Sequence, residues 1–99
     1  MPDTDLVVVD NPDLHRYEAR APDGTVLGFS AYRLAGDTVV FTHTEVDPAT
    51  EGQGVGSRLV RGALDDVRRR GVLMVPRCPF VKAYVERHPE YTDLVDTDD

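Results

Sequence analysis

Three groups of residues in this chain have types and spacings that can do chemistry. The first is the glycine cluster Glu51-Gly52-Gln53-Gly54-Val55-Gly56-Ser57. It stands between a β-branched run, Thr38 to Val46, and a helical pattern in which Val60, Ala63, Leu64 and Val67 fall at i, i+3, i+4 and i+7. Glycines remove the Cβ atoms that block close approach, and a helix N-terminus offers bare N–H groups and a partial positive charge. Strand, glycine loop and helix in that order can therefore hold a phosphate. The second is Cys78. Pro79 suits the first helical position, which puts Cys78 at an N-cap with its sulfur near the positive helix end, and Arg77 adds a neighbouring charge. Both favour a thiolate; a buried, inert cysteine is the other use of the same residue. The third is His43 with Glu45, which alternate onto one face of the Thr38–Val46 arm together with Val39 and Phe41. A histidine side chain titrates near neutrality, so this pair suits a general base, although a strand emerging into solvent gives the same pattern. His15, His43 and His88 show no metal-ligand spacing, and no metal is expected.

The elements that position these groups follow from period and punctuation. Leu6 to Val9 is a short strand closed by the turn cluster Asp10-Asn11-Pro12-Asp13. Leu14 to Ala21 and Thr25 to Arg33 are strands joined through Pro22-Asp23-Gly24, and Ala35-Gly36-Asp37 leads into the arm Thr38 to Val46. A helix runs from Gly56 to Arg70 with Arg58, Arg61, Asp65, Arg68 and Arg69 outward, and Gly71 stops it. Val72 to Val75 reads as a strand buried on both faces, Phe80 to His88 as a helix with Val81, Tyr84, Val85 and His88 on one stripe, and Tyr91 to Val95 as a short last strand. The expectation is an α+β fold, an antiparallel β-meander followed by a βαβα unit in one mixed sheet. It occupies residues 1–99 as a single domain, with residues 1–4 and 96–99 frayed.

Composition narrows the class. Ninety-nine residues suffice for one core. A formal net charge of −7 argues against general nucleic-acid binding and against docking on an anionic membrane, and it favours a basic or amine-bearing partner or a solubilising surface. One cysteine allows no internal disulfide, no apolar run approaches the ~20 residues of a membrane span, and the acidic start Met1-Pro2-Asp3-Thr4-Asp5 is unlike a signal peptide. A cytoplasmic protein is expected.

The glycine spacing alone is not specific. No Gly-Lys-Ser/Thr follows it, and Gly52-x-Gly54-x-Gly56 is not the dinucleotide fingerprint, so a plain turn and cap fits it equally well. The wider stretch Val46-Asp47-Pro48-Ala49-Thr50-Glu51-Gly52-Gln53-Gly54-Val55-Gly56-Ser57-Arg58-Leu59, however, resembles the acyl-CoA-binding motif of the GNAT superfamily of N-acetyltransferases. The family core Gln/Arg-x-x-Gly-x-Gly/Ala maps onto positions 51 to 56, with Glu51 in place of Gln or Arg. Phe41-Thr42-His43-Thr44-Glu45-Val46, Val75-Pro76-Arg77-Cys78-Pro79-Phe80-Val81 and His88-Pro89-Glu90-Tyr91 are similar to the small YjdJ-like branch of that superfamily.

The resemblance implies a minimal GNAT-like acetyltransferase that moves an acetyl group from acetyl-CoA to an amine acceptor, either a small molecule or a protein lysine. Val46 would pair with the pantetheine arm as a strand does, and the amides of Gln53, Gly54, Val55, Gly56, Ser57 and Arg58 would hold the pyrophosphate, with Arg58 adding charge. It implies Cys78 as acetyl acceptor or proton donor, His43 and Glu45 as base, and Tyr84 as the tyrosine that protonates the CoA sulfur. The helices usual between the first two strands have no room here. A non-catalytic CoA-binding module and a small protein-interaction domain remain open, and the sequence identifies neither the acceptor nor the oligomeric state.

Overall fold

Four strands follow one another with no helix between them, because their connections are too short to hold one. The structure, a computed structural model, describes residues 6–96. The strands are β1 (Val7–Asn11), β2 (Arg16–Arg20), β3 (Val26–Ala35) and β4 (Thr38–Val46). The β1–β2 turn takes in Leu14 and His15, expected to begin the second strand. The Leu14 and His15 amides instead bond back to Asn11 and Pro12, and His15 sits at φ 52. A short 3-10 turn, Pro48–Thr50, leads to helix α1 (Val55–Arg70), then β5 (Leu73–Pro76) and helix α2 (Pro79–Arg87). The sheet order is β1-β2-β3-β4-β5, antiparallel through β4, with β5 parallel to β4. This is the expected meander and βαβα unit in one mixed sheet.

The apolar stripe of α1 (Leu59, Val60, Ala63, Leu64 and Val67) is buried as its period requires, and Gly71 in the left-handed region ends the helix. Together with Val81, Tyr84 and Val85 of α2 it packs on the inward residues Tyr17, Ala19, Tyr32, Val39, Phe41 and Met74. Both helices share this single core. Residues of opposite parity, including Arg16, Glu18, Phe29 and Ala31, form the other face of the sheet.

A polar cluster fastens the C-terminal half of α1 to three strands. Tyr17 Oη donates to Asp66 at 2.6 Å, Tyr32 Oη donates to Asp10 at 2.6 Å, and Arg70 joins both carboxylates at 2.8 and 2.9 Å. Burial first, and these carboxylates second, push both phenols above the ordinary tyrosine range.

Three expectations at the C-terminal end need correction. Leu73 is 41% exposed, so β5, an outer strand, is not buried on both faces. Residues Pro89–Leu94 form a 3-10 helix rather than a strand, and only Val95 makes a bridge, to Met74. Asp96 is tied down: its N–H donates to Met74 O at 2.8 Å and its carboxylate accepts from Thr38 Oγ1 at 3.2 Å. The expected fraying at 1–4 and 97–99 lies outside the described residues. No helix among those described is long and apolar enough to cross a membrane.

Candidate active site at the fork of strands four and five

The parallel ladder between β4 and β5 stops at the pair Phe41↔Pro76. Among the described residues β4 runs on to Val46 with ladder pairing only to β3, so its other margin is open there from Thr42. Pro76 cannot donate to a ladder, and the chain turns there: Cys78 N–H donates to Phe41 O at 2.9 Å. The sequence thereby makes a fork, with β4 on one side and the start of α2 on the other.

The open strand margin leads into the glycine loop. Gly54 is the N-cap of α1 at φ 75, a conformation that side chains disfavour, and it provides no side-chain cap. The first intrahelical bond runs from Arg58 N–H to Gly54 O at 3.1 Å, and Gln53 N–H is already used by Thr50 O at 3.0 Å. Of the amides anticipated for phosphate, the two outer ones thus have partners within the chain. Val55, Gly56 and Ser57, in the first turn, have no intrahelical acceptor. At Gly56 a Cβ would lie 2.5 Å from Phe80 Cζ, so the absence of a side chain lets the Phe80 ring rest on the helix start.

Cys78 is the N-cap of α2 with Pro79 in the first turn, as anticipated, but it is only 3% exposed and makes no cap bond. Its thiol instead donates to Thr44 Oγ1 at 3.3 Å, and Thr44 in turn shares a 3.0 Å hydrogen bond with fully buried Ser30. Thr44 and Ser30 were not singled out in the sequence. A threonine next to a histidine carries no spacing signal, and the contact to Cys78 spans 34 positions.

The position of His43 and Glu45 is a correction. The β3–β4 register slips between Ala31 and Tyr32, which face His43 and Phe41, so Thr42 is an extra residue. A bulge inverts the alternation beyond it. Phe41, Thr44 and Val46 point to the helices, whereas His43 and Glu45 are on the opposite face rather than beside Val39 and Phe41. There His43 Nε2 lies 2.8 Å from Glu45 Oε2, with the side chains 59% and 63% exposed. The fork therefore has a thiol and two hydroxyls on one side of the sheet and an imidazole–carboxylate pair on the other. Tyr84 is not brought to it. That ring stacks on His88 at 4.1 Å and lies 6.0 Å from Tyr91; burial raises the phenol pKa, with Arg61 opposing.

The family model described as GCN5-related N-acetyl-transferase matches residues 16–94, which takes in the glycine loop, both fork-lining segments and the His43–Glu45 pair. The chain belongs to the GCN5-related N-acetyltransferase family. Among solved structures it is similar to the solution structure of a GCN5-like protein from Staphylococcus aureus. That likeness has 21% identity and a TM-score of 0.69 and covers 94% of this chain and 90% of that one, so it concerns the fold. No curated protein matches the chain. A cavity of about 530 Å³ between β1 and α1 lies away from the fork. Its lining includes Asp10, Tyr17, Asp66 and Arg70, which are bonded to one another. A smaller cleft of about 300 Å³ lies where β3 begins and β4 ends, lined by Phe29, Glu45, Val46, Asp47 and Pro48 among others. Among the described residues no group of three or more His, Cys, Asp or Glu is placed to hold a metal.

Proposed function

We propose that the protein is an acetyl-CoA-dependent N-acetyltransferase acting on an amine at the β4–β5 fork. One observation carries this reading: the open β4 margin from Thr42 to Val46 leads, through the turn Pro48–Thr50 and the glycine loop, to the N-terminus of α1, which has no side-chain cap. A peptide-like arm adds to such a strand margin, and a pyrophosphate suits the bare first-turn amides of Val55, Gly56 and Ser57, with Arg58 one residue further on. Glu51 takes no part in this arrangement. Phe80 walls the space between the two helix starts.

In the reaction the acceptor nitrogen attacks the thioester carbonyl carbon; the C–N bond forms and the C–S bond breaks. His43, held at Nε2 by Glu45, takes the proton of the nitrogen at Nδ1. Cys78, whose hydrogen stands on a donor bond to Thr44, gives its proton to the departing sulfur. With its hydrogen carried on that contact, Cys78 is given the part of acid rather than of acetyl carrier. Tyr84 belongs to the core of α2 and contributes packing.

The first test is thermal unfolding with acetyl-CoA, CoA and adenosine diphosphate in parallel. Ligand at ~100 times its dissociation constant stabilises the fold by roughly 2.7 kcal/mol, a rise of several degrees for a domain of this size. Both thioester and thiol forms are expected to raise the melting temperature more than the nucleotide. Turnover with an amine should then fall about a hundredfold or more in His43→Gln, while the acetyl-CoA shift persists. Binding without turnover toward any amine would leave only a CoA-binding module. An acetyl adduct on intact protein that disappears in Cys78→Ser would move Cys78 to the covalent role.

A further inference from the structure

Among the described residues no element covers the His43 side of the sheet, and that side carries a charged assembly whose purpose packing does not explain. Glu18 is 2% exposed yet points to this open face, and it accepts from Asn11 Nδ2 at 3.1 Å, Arg16 Nε at 2.7 Å and Arg20 Nε and Nη2 at 2.9 and 2.6 Å. Two guanidinium groups around one carboxylate leave one positive charge. The two arginines are used differently. Arg20 spends both prongs of its fork on Glu18, whereas Arg16 uses only Nε, and among the described residues nothing accepts from its Nη1 or Nη2. Its Cζ stands 4.5 Å from the centroid of the Phe29 ring, and that ring lies 6.2 Å from His43. In register, Arg16, Ala31 and His43 form one row across β2, β3 and β4, with the small Ala31 between the two long side chains.

A guanidinium fixed by a buried carboxylate and an aromatic face, with its fork unspent, is preorganised for a planar anion. At the far end of the same row Glu45 offers a negative charge beside His43. We infer, resting on the transferase reading above, that the acceptor is a zwitterion: its amine lies at His43 and Glu45, its carbon chain runs along Phe29, and its carboxylate is held by Arg16. Arg16 is then a specificity-determining residue. Net charge alone favours a cationic acceptor, but exposed charges beyond ~8 Å are screened at physiological salt, so the local arrangement decides.

The test follows thiol release from acetyl-CoA with the full chain and unbranched ω-amino acids from glycine to 6-aminohexanoate. Each is compared with its methyl ester and with the diamine of equal length. At one or two chain lengths the free acid is expected to exceed its ester and the diamine at least tenfold in kcat/KM. Arg16→Gln should bring acid and ester to within about twofold through KM, with kcat toward the ester little changed, and Arg16→Lys should fall between. The acid–ester comparison on the unaltered chain needs no variant to fold. Equal use of acid and ester, a preferred diamine, or a preference that survives Arg16→Gln would overturn the zwitterion and leave the transferase standing. Absence of thiol release with every amine would remove the transferase and this inference with it.

Discussion

Glu18 is a carboxylate in a place where ionisation needs support. Burial alone would raise its pKa, but hydrogen bonds from Arg20, Arg16 and Asn11 outweigh it and hold the group below the usual carboxylate range. A depressed folded pKa adds stability that is fully present above the unfolded value of about 4.3 and lost as pH falls through the folded one. Glu18→Gln is therefore expected to melt several degrees below the unaltered chain at pH 7, with the gap closing as the pH is taken toward 3; equal melting at pH 7 would count against the clamp. This residue was not legible, since Arg16-x-Glu18-x-Arg20 reads as the wet side of a strand. His43 and Glu45 were legible as a pair but were given the wrong face. Nothing in Phe41-Thr42-His43 marks a bulge, because no glycine or proline stands there and strict alternation was the only available rule. Cys78 was placed correctly at a helix start because Pro79 marks one locally. Its partner Thr44 comes from a distant strand.

Elements with a clear period were read well, and those set by tertiary contacts were not. The stripe of α1 is a property of its own sequence. The segment Pro89–Leu94, in contrast, has strand-like composition but is wound by contacts with α1: Tyr91 Oη donates to Asp65 at 2.7 Å, and Arg68 reaches Asp93 at 2.9 Å and the Glu90 carbonyl at 2.7 Å. The seam between α1 and β1 offers an element-level test. A Cβ on Gly62 would meet Val8 Cβ at 2.7 Å and both its methyl groups within 2.9 Å, a contact with a stiff β-branched residue near the backbone. Alanine gains about 1 kcal/mol of helix propensity over glycine, while overpacking costs about 1–3 kcal/mol. Gly62→Ala should thus be destabilised by about 1 kcal/mol in urea unfolding. A stabilised variant would mean that β1 does not press on the helix.

At the scale of the whole molecule, a sheet covered on one side divides the labour of the site. The covered side buries the Cys78 thiol and the Ser30 hydroxyl and half-buries Thr44, and the open side presents the imidazole and carboxylate to solvent. The short β1–β2 connection was readable as having no room for helices, though not which face of the sheet that would leave open. What the open side carries was not readable from a formal charge of −7, which sums over surfaces that face different ways.

The margin of β5 away from β4 has a consequence for how copies of the chain behave together. Val95 bridges to Met74, and Asp96 bonds both Met74 and Thr38, so the last described residues lie on an outer strand that would otherwise be bare. A bare strand margin is a template for another chain, and this one includes the apolar and exposed Leu73. A chain ending at Leu94 should scatter light increasingly with concentration and with time at 37 °C, more steeply than the 99-residue protein. Val95 and Asp96 would then act as a guard against aggregation, sealing one end of the sheet by occupying the place a neighbour's strand would take.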